Sequence, residues 1–273
     1  MSGRYTIAAR EDRLSLLGER GVAVWAIEHP RWDGASCEFS AEGDLVRATM
    51  PGPDHAWEDD EADDEAGDAE ADGPAYEWDR TYEEPHAHQD APENHGGEWW
   101  VVEAATGRVL ATGPLGTYPD GAVAFRHPDG VHMGLGTIVH DGPSHTFWGS
   151  YVDGRLHVIV VPSAGRLMSV HPAGTAYVTL TTGMTDDDPG GTLTLHGFPD
   201  HETIARWPGT GLVRGEWFGG AEYLDGERVL VKVCHGTSAS RWLLFDARDL
   251  KLLGEAEDPC GPAPASGDTS GRA

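Results

Sequence analysis

The strongest constraint on the fold is a stretch that recurs. Residues 37 to 50, CEFSAEGDLVRATM, carry an aromatic residue, a short polar turn with glycine and then an alternating apolar run. The same scheme returns in VAFRHPDGVHMGLG from residue 123, MSVHPAGTAYVTLTTG from 168 and AEYLDGERVLVKV from 221. The turn glycines are Gly43, Gly130, Gly174 and Gly226, at separations of 87, 44 and 52 residues. The first interval contains an acidic segment of 44 residues, 54–97, and shrinks to 43 without it. A repeat of about 43 to 52 residues is the length of one four-stranded propeller blade, a unit that buries its faces only by stacking on its neighbours.

A second match supports the period. EWWVVEAATGRVLAT (98–112) aligns without a gap with RWLLFDARDLKLLGE (241–255), pairing Trp99 with Trp242, Val102 with Phe245, Glu103 with Asp246 and Leu110 with Leu253. TLTLHGFPDHETIARW (192–207) follows the same strand, acidic turn, strand scheme with one residue inserted. These units resemble the WD40-like class of β-propeller repeats, in which an F-S-P-D-G-like turn joins the first two strands and a W-D-x-x-T-G-like segment carries the third strand into the fourth. This chain departs from the pattern in lacking the Gly-His dipeptide, and Trp-Asp occurs only at Trp32-Asp33 and Trp78-Asp79, outside the aligned third strands. VVPSAGRLMSV fits a third-to-fourth connection and, through Leu167 to Val170, also the first strand of the next unit; the second placement keeps the 44-residue spacing.

The expected fold is all-β, a propeller of about five four-stranded blades. Residues 1–34 supply strand-like runs in RYTIAAR, RLSLLGE and VAVWAIE, a partial or closing blade; 35–258 form four WD40-like blades interrupted at 54–97; 259–273 form a disordered tail. A two-sheet β-sandwich is the alternative, but it has no reason to show a 45-residue period. The 37 glycines and 18 prolines agree with many short strands joined by tight turns, and no long 3.6-residue periodicity appears.

The charge is concentrated. The formal net charge is -27, and residues 54–97 hold 17 Asp or Glu against the single Arg80. A like-charged run so poor in branched apolar residues cannot offset the entropy of ordering itself, so a disordered acidic loop is expected. It lies between GDLVRATMPG and GEWWVVEAATGRVLATG, both strand-like, and so replaces a hairpin turn. Its aromatic residues Trp57, Tyr76, Trp78 and Tyr82 are the candidate binding residues, since aromatics among acids suit a segment that orders on a partner. In the propellers that the repeats resemble, the turn between second and third strands opens on the same face as the blade links, which implies that the loop sits at a docking face.

The remaining composition excludes classes of partner. Negative charge repels phosphate backbones and anionic bilayers, so neither nucleic acid nor membrane is expected. No stretch approaches the ~18 apolar residues of a span, and the N-terminus lacks a signal-peptide core. Only Lys232 and Lys251 are lysines among 19 basic residues, a bias toward Arg of the kind seen in high-GC bacterial genomes. Cys37, Cys234 and Cys260 lack metal-ligand or CxxC spacing and fit two packing thiols and a tail thiol in a reducing cytoplasm.

Few residues carry recognisable chemistry. Glu38 and Glu222 occupy the same place in two units, each just before the aromatic turn residue, Phe39 or Tyr223. Facing one another in a central channel they would form an acid and base pair of the kind glycoside hydrolysis needs; otherwise they are solvated strand carboxylates. His86, His88 and His95 are weak candidates for a loose divalent metal site in a segment without fixed geometry. HDGPSH (140–145) and DDDPGG (186–191) read as turn chemistry, and the neighbours Cys234 and His235 point to opposite faces of a strand. GxSxG, Walker, GxGxxG and HExxH patterns are missing, and no cofactor is expected. Two readings follow: a non-catalytic scaffold that binds a protein partner, basic in character, through its acidic loop, and a small propeller hydrolase working through channel carboxylates.

Overall fold

The computed structural model describes residues 5–10, 12–29, 32, 35–50, 97–115, 121–138, 144–161, 165–181, 190–235 and 238–257. They form nineteen strands and one 3-10 turn, Gly209–Gly211. The strands group into five antiparallel sheets, each a meander in chain order. Blade I has three strands, β1 (Thr6–Arg10), β2 (Arg13–Leu17) and β3 (Ala23–Glu28). Blade II is β4 (Ser36–Phe39), β5 (Leu45–Met50), β6 (Glu98–Glu103) and β7 (Val109–Pro114). Blade III is β8 (Gly121–Arg126), β9 (His132–Ile138), β10 (Thr146–Val152) and β11 (Arg155–Val161). Blade IV is β12 (Arg166–Val170), β13 (Ala176–Leu180), β14 (Thr192–Gly197) and β15 (Thr203–Pro208). Blade V is β16 (Glu216–Tyr223), β17 (Arg228–His235), β18 (Ser238–Asp246) and β19 (Leu252–Ala256). The repeat thus marks blades, and Leu167 to Val170 open blade IV rather than close blade III. Among the described residues no helix is long and apolar enough to cross a membrane.

Burial follows from stacking. A second strand is covered on both faces, by the preceding blade and by the following one, so β13 (AYVTL) is buried at every position and β5 at all but its first. Outer strands have one edge in solvent and alternate, as in β15 and β3. Apolar clusters fill the seams between consecutive blades. Leu14, Val46, Met50 and Val102 join I to II. Trp99, Met133, Leu135 and Phe147 join II to III, and Trp148, Leu167 and Tyr177 join III to IV. Leu195, Phe218, Val231 and Phe245 belong to the seam between IV and V. First strands run beside one another in the order β1, β4, β8, β12, β16.

Each seam also carries one side-chain donor that reaches a turn carbonyl of the next blade. Nε1 of Trp25 donates to Ala104 O at 2.8 Å, and Nη2 of Arg47 to Gly130 O at 2.8 Å. His127 Nε2 meets Gly174 O at 2.9 Å, and His171 Nε2 meets Gly226 O at 3.0 Å. A carbonyl only accepts, so both imidazoles carry their proton on Nε2. Three of the four repeat glycines, Gly43, Gly130 and Gly174, hold φ near 70°, a left-handed conformation that glycine adopts without a Cβ clash. Gly226 lies outside that region. Its turn is organised by Asp225, whose Oδ1 accepts from the backbone amides of Glu227 (2.8 Å) and Arg228 (2.9 Å).

Candidate functional site

A meander of four strands puts the first-to-second and third-to-fourth turns at one end of the blade. The second-to-third turn and the link to the next blade fall at the other. The acidic segment belongs to the second end. β5 and β6 pair without a bulge from Leu45↔Glu103 to Met50↔Glu98, so the segment leaves and re-enters at the closing pair of one hairpin. Its root is firmly packed: Met50 and Leu115 are buried, and Leu115 N donates to Gly97 O at 2.6 Å. A Cβ on Gly97 would sit 2.7 Å from the Met50 carbonyl, so only glycine fits that re-entry. Trp57, Tyr76, Trp78, Tyr82, His86, His88 and His95 lie outside the described residues, as do 140–143, 186–189 and the tail 259–273.

Glu38 and Glu222 leave the matching face of two different blades, whose first strands β4 and β16 are separated by β8 and β12. Blade sheets stand radially, so side chains on a first strand point toward a neighbouring blade rather than along the axis. Cys37 and Phe39 pack toward blade I, and Glu38 between them therefore points toward blade III. There its Oε1 lies 4.0 Å from Nη1 of Arg47, the residue opposite it on β5, and the two side chains are only 15% and 5% exposed. Burial pushes the Glu38 carboxyl up to about 7, against the pull of Arg47 and Arg126, and burial likewise lowers the Arg47 guanidinium. Arg47 also lines a cavity with Trp99, Val101, Gly149 and Tyr151 of about 10 Å³, about the room one water needs. On blade V, Ala221 and Tyr223 pack toward blade IV, so Glu222 is on the opposite face, and it is exposed. Among the described residues no hydrogen bond or ion pair joins the two carboxylates.

The thiols behave as packing groups. Cys37 belongs to the seam between I and II, where burial raises it to about 12, far from a reactive thiolate. Cys234 is buried while its neighbour His235 is exposed, as strand alternation requires.

The turn end of blades III and IV gathers a cluster of histidines and aromatics that the sequence does not announce. Phe198, in the third-to-fourth turn of blade IV, lies 4.1 Å from the His127 ring, 5.1 Å from His132, 4.8 Å from Trp148 and 5.6 Å from His201 by ring centroids. Tyr177 stacks on His196 at 4.9 Å, and its hydroxyl is 3.2 Å from His201 Nδ1. Burial holds the His196 imidazole down to about 4, so it stays neutral across the physiological range. Within this cluster Asp129 bridges two imidazoles: its Oδ1 is 2.9 Å from His127 Nδ1 and its Oδ2 is 2.7 Å from His132 Nδ1. Burial works against the ionised carboxyl, but hydrogen bonds from the backbone and ring of His132 and from Val131 N outweigh it and hold Asp129 well below its ordinary value. The only signal in the sequence is the triplet H-x-D-x-x-H inside one repeat turn, which resembles ordinary turn chemistry.

Radial four-stranded meanders joined by blade links at one end define a WD40-like β-propeller arrangement. No protein-family model matches the chain, and no curated protein matches its sequence. Among solved structures it resembles the β-propeller domain of Cps50 (Swd1) from Myceliophteria thermophila, with 11% identity, a TM-score of 0.52, and coverage of 95% of this chain and 72% of that one. It also resembles Sqt1 from Saccharomyces cerevisiae, with 8% identity, a TM-score of 0.53, and coverage of 92% and 57%. A hypothetical selenium-binding protein from Sulfolobus tokodaii matches at 8% identity and a TM-score of 0.53, with 92% and 62% covered. The chain therefore spans less than two thirds of the second and third of these proteins. Likeness at such identities shows the fold alone.

Proposed function

We propose that this chain is a non-catalytic protein-binding propeller whose acidic segment, 54–97, recruits a partner with a basic surface. The observation that carries this reading is the β5–β6 pairing. Both ends of a segment with 17 acidic residues and one arginine are held at the closing pair of a packed hairpin, on the end of the blades where the blade links also open. Charge tethered at both ends keeps a high local potential at that surface, which steers and accelerates encounter with a cationic protein. Trp57, Tyr76, Trp78 and Tyr82 then supply apolar contacts once the partner is near. The hydrolytic alternative has less behind it, because Glu38 is buried beside Arg47 on blade II while Glu222 is exposed on blade V, and the cavity beside Arg47 is too small for a substrate.

The test replaces residues 54–97 with a short Asn-Gly turn. Loop-closure entropy changes by only ~0.6 kcal/mol per doubling of loop length, so the melting transition should survive. Capture of a basic partner from the native cell should weaken, and the wild-type interaction should fade as salt rises. Collapse of the fold on deletion, or unchanged and salt-independent capture, would refute the proposal.

A further inference from the structure

We infer that His127, Asp129 and His132 form a binding site for one divalent transition-metal ion of the zinc type, at the end of the blades opposite the closing pair Met50↔Glu98 of β5 and β6. The ligating atoms of the three residues lie within 4.8 Å of one another. Their carboxylate-to-imidazole separations of 2.9 and 2.7 Å are slightly shorter than the ~3.3 Å between ligands of a tetrahedral zinc ion, so small side-chain rotations admit the metal. Imidazole nitrogen with carboxylate oxygen is a donor set suited to such ions. His127 is buried, whereas the side chains of His132 and Asp129 are 31% and 37% exposed, which leaves an open side for entry and for a solvent ligand.

The electrostatics suit a cation here. His127 spends its Nε2 proton on Gly174 O, so in the neutral ring Nδ1 presents a lone pair. That lone pair faces Asp129 Oδ1 at 2.9 Å; the ring nitrogen accepts from the Asp129 amide at 3.2 Å, and Oδ1 accepts from Val131 N at 2.9 Å and His132 N at 3.0 Å. A metal ion between nitrogen and oxygen turns this repulsion into coordination. The Gly174 carbonyl also acts as a support, fixing ring orientation and tautomer as partners of metal-bound histidines do.

The other blades show that the turn does not need this arrangement. In blade IV the equivalent positions are His171, Ala173 and Ala176; His171 Nε2 meets Gly226 O and its Nδ1 accepts from Ala173 N at 3.0 Å, with no carboxylate present. In blade V they are Tyr223, Asp225 and Arg228, and the guanidinium neutralises Asp225 Oδ2 from 2.6 and 2.9 Å. Blade III alone among these turns combines a carboxylate with an imidazole on each side and no guanidinium bonded to it.

The experiment titrates the metal-free full chain with zinc chloride by calorimetry and with cobalt(II) by visible absorption. Four proteins are compared: wild type, D129A/H132A, H132A, and H86A/H88A/H95A, which removes three of the four histidines of the acidic segment. D129A/H132A reproduces the residues of the blade IV turn and should fold; H132A keeps the Asp129 turn bonds as a milder second variant. Wild type and the triple variant should bind one zinc ion and rise in melting temperature with it. D129A/H132A and H132A should lose affinity by at least about tenfold, the lower range for disturbing even a supporting group. Absence of zinc binding in wild type, equal binding in H132A, or loss of binding in the triple variant would overturn the assignment. The result is independent of the acidic-segment reading, since none of the three ligands belongs to that segment.

Discussion

Replacing Glu38 with Gln tests whether the seam between blades II and III holds a carboxyl that resists ionisation. Gln keeps the shape and the 4.0 Å approach to Arg47 Nη1, so packing is largely preserved. Burial moves the carboxyl from 4.5 to about 7 in the folded chain. Between those values the folded state binds the proton and the unfolded state does not, so this group's contribution to stability is full below pH 4.5 and is lost as pH rises through 7. At 1.36 kcal/mol per pH unit the loss is about 3 kcal/mol. His196 acts in the opposite sense: its folded value of about 4 lies below the ordinary 6.5, so its contribution is present above 6.5 and lost as pH falls through 4. In wild type the two slopes oppose each other between pH 4.5 and 6.5, and the profile from these groups is nearly flat. The variant loses the falling term, so its stability relative to wild type should grow by about 3 kcal/mol between pH 4.5 and 8. For a chain of this size that is a relative gain of roughly 6–12 °C in melting temperature. Urea and thermal denaturation of both proteins across this range provide the measurement. Parallel profiles would show that Glu38 ionises normally and that the seam is wetter than its geometry implies.

Two further outcomes test the blade contacts. Gly136→Ala places a Cβ against the backbone carbonyl and amide of Leu167, neither of which can rotate away, so overpacking should cost about 1–3 kcal/mol in urea unfolding; a neutral substitution would mean that blades III and IV slide apart freely. His171→Ala removes one exposed tie and should cost about 1 kcal/mol, whereas His127→Ala also removes a buried ring packed on Phe198 and Trp148 and should cost about 3 kcal/mol. Equal costs would show that the carbonyl ties, rather than ring packing, dominate both sites.

How much of this was legible in the sequence depends on the range of the interaction. Turn glycines and alternating runs are local, and the four recurring stretches contain most or all of β4, β5, β8, β13 and β17. The gapless match between 98–112 and 241–255 corresponds to β6–β7 and β18–β19, the third and fourth strands of blades II and V. The three N-terminal runs became the three strands of blade I. Gly226 shows a limit even locally, because a well-placed Asp225 stabilises its turn without a left-handed glycine.

Side-chain direction depended on the stacking of blades. The matching positions of Glu38 and Glu222 were visible, but which sheet face each leaves follows from neighbours such as Phe39 and Tyr223 and from the seams they fill. The cluster around His127 was hidden for a related reason. Four residues separate His127 from His132 across a turn, and Phe198 and the Gly174 carbonyl that orient the first ring come from the next blade. The sequence by itself determined the repeat, the strands and the concentration of charge, because these rest on the chain's local periodicity and composition. Only the tertiary structure decided which carboxylates and imidazoles share a seam, because radial packing of one blade on the next brings together residues about a whole repeat apart.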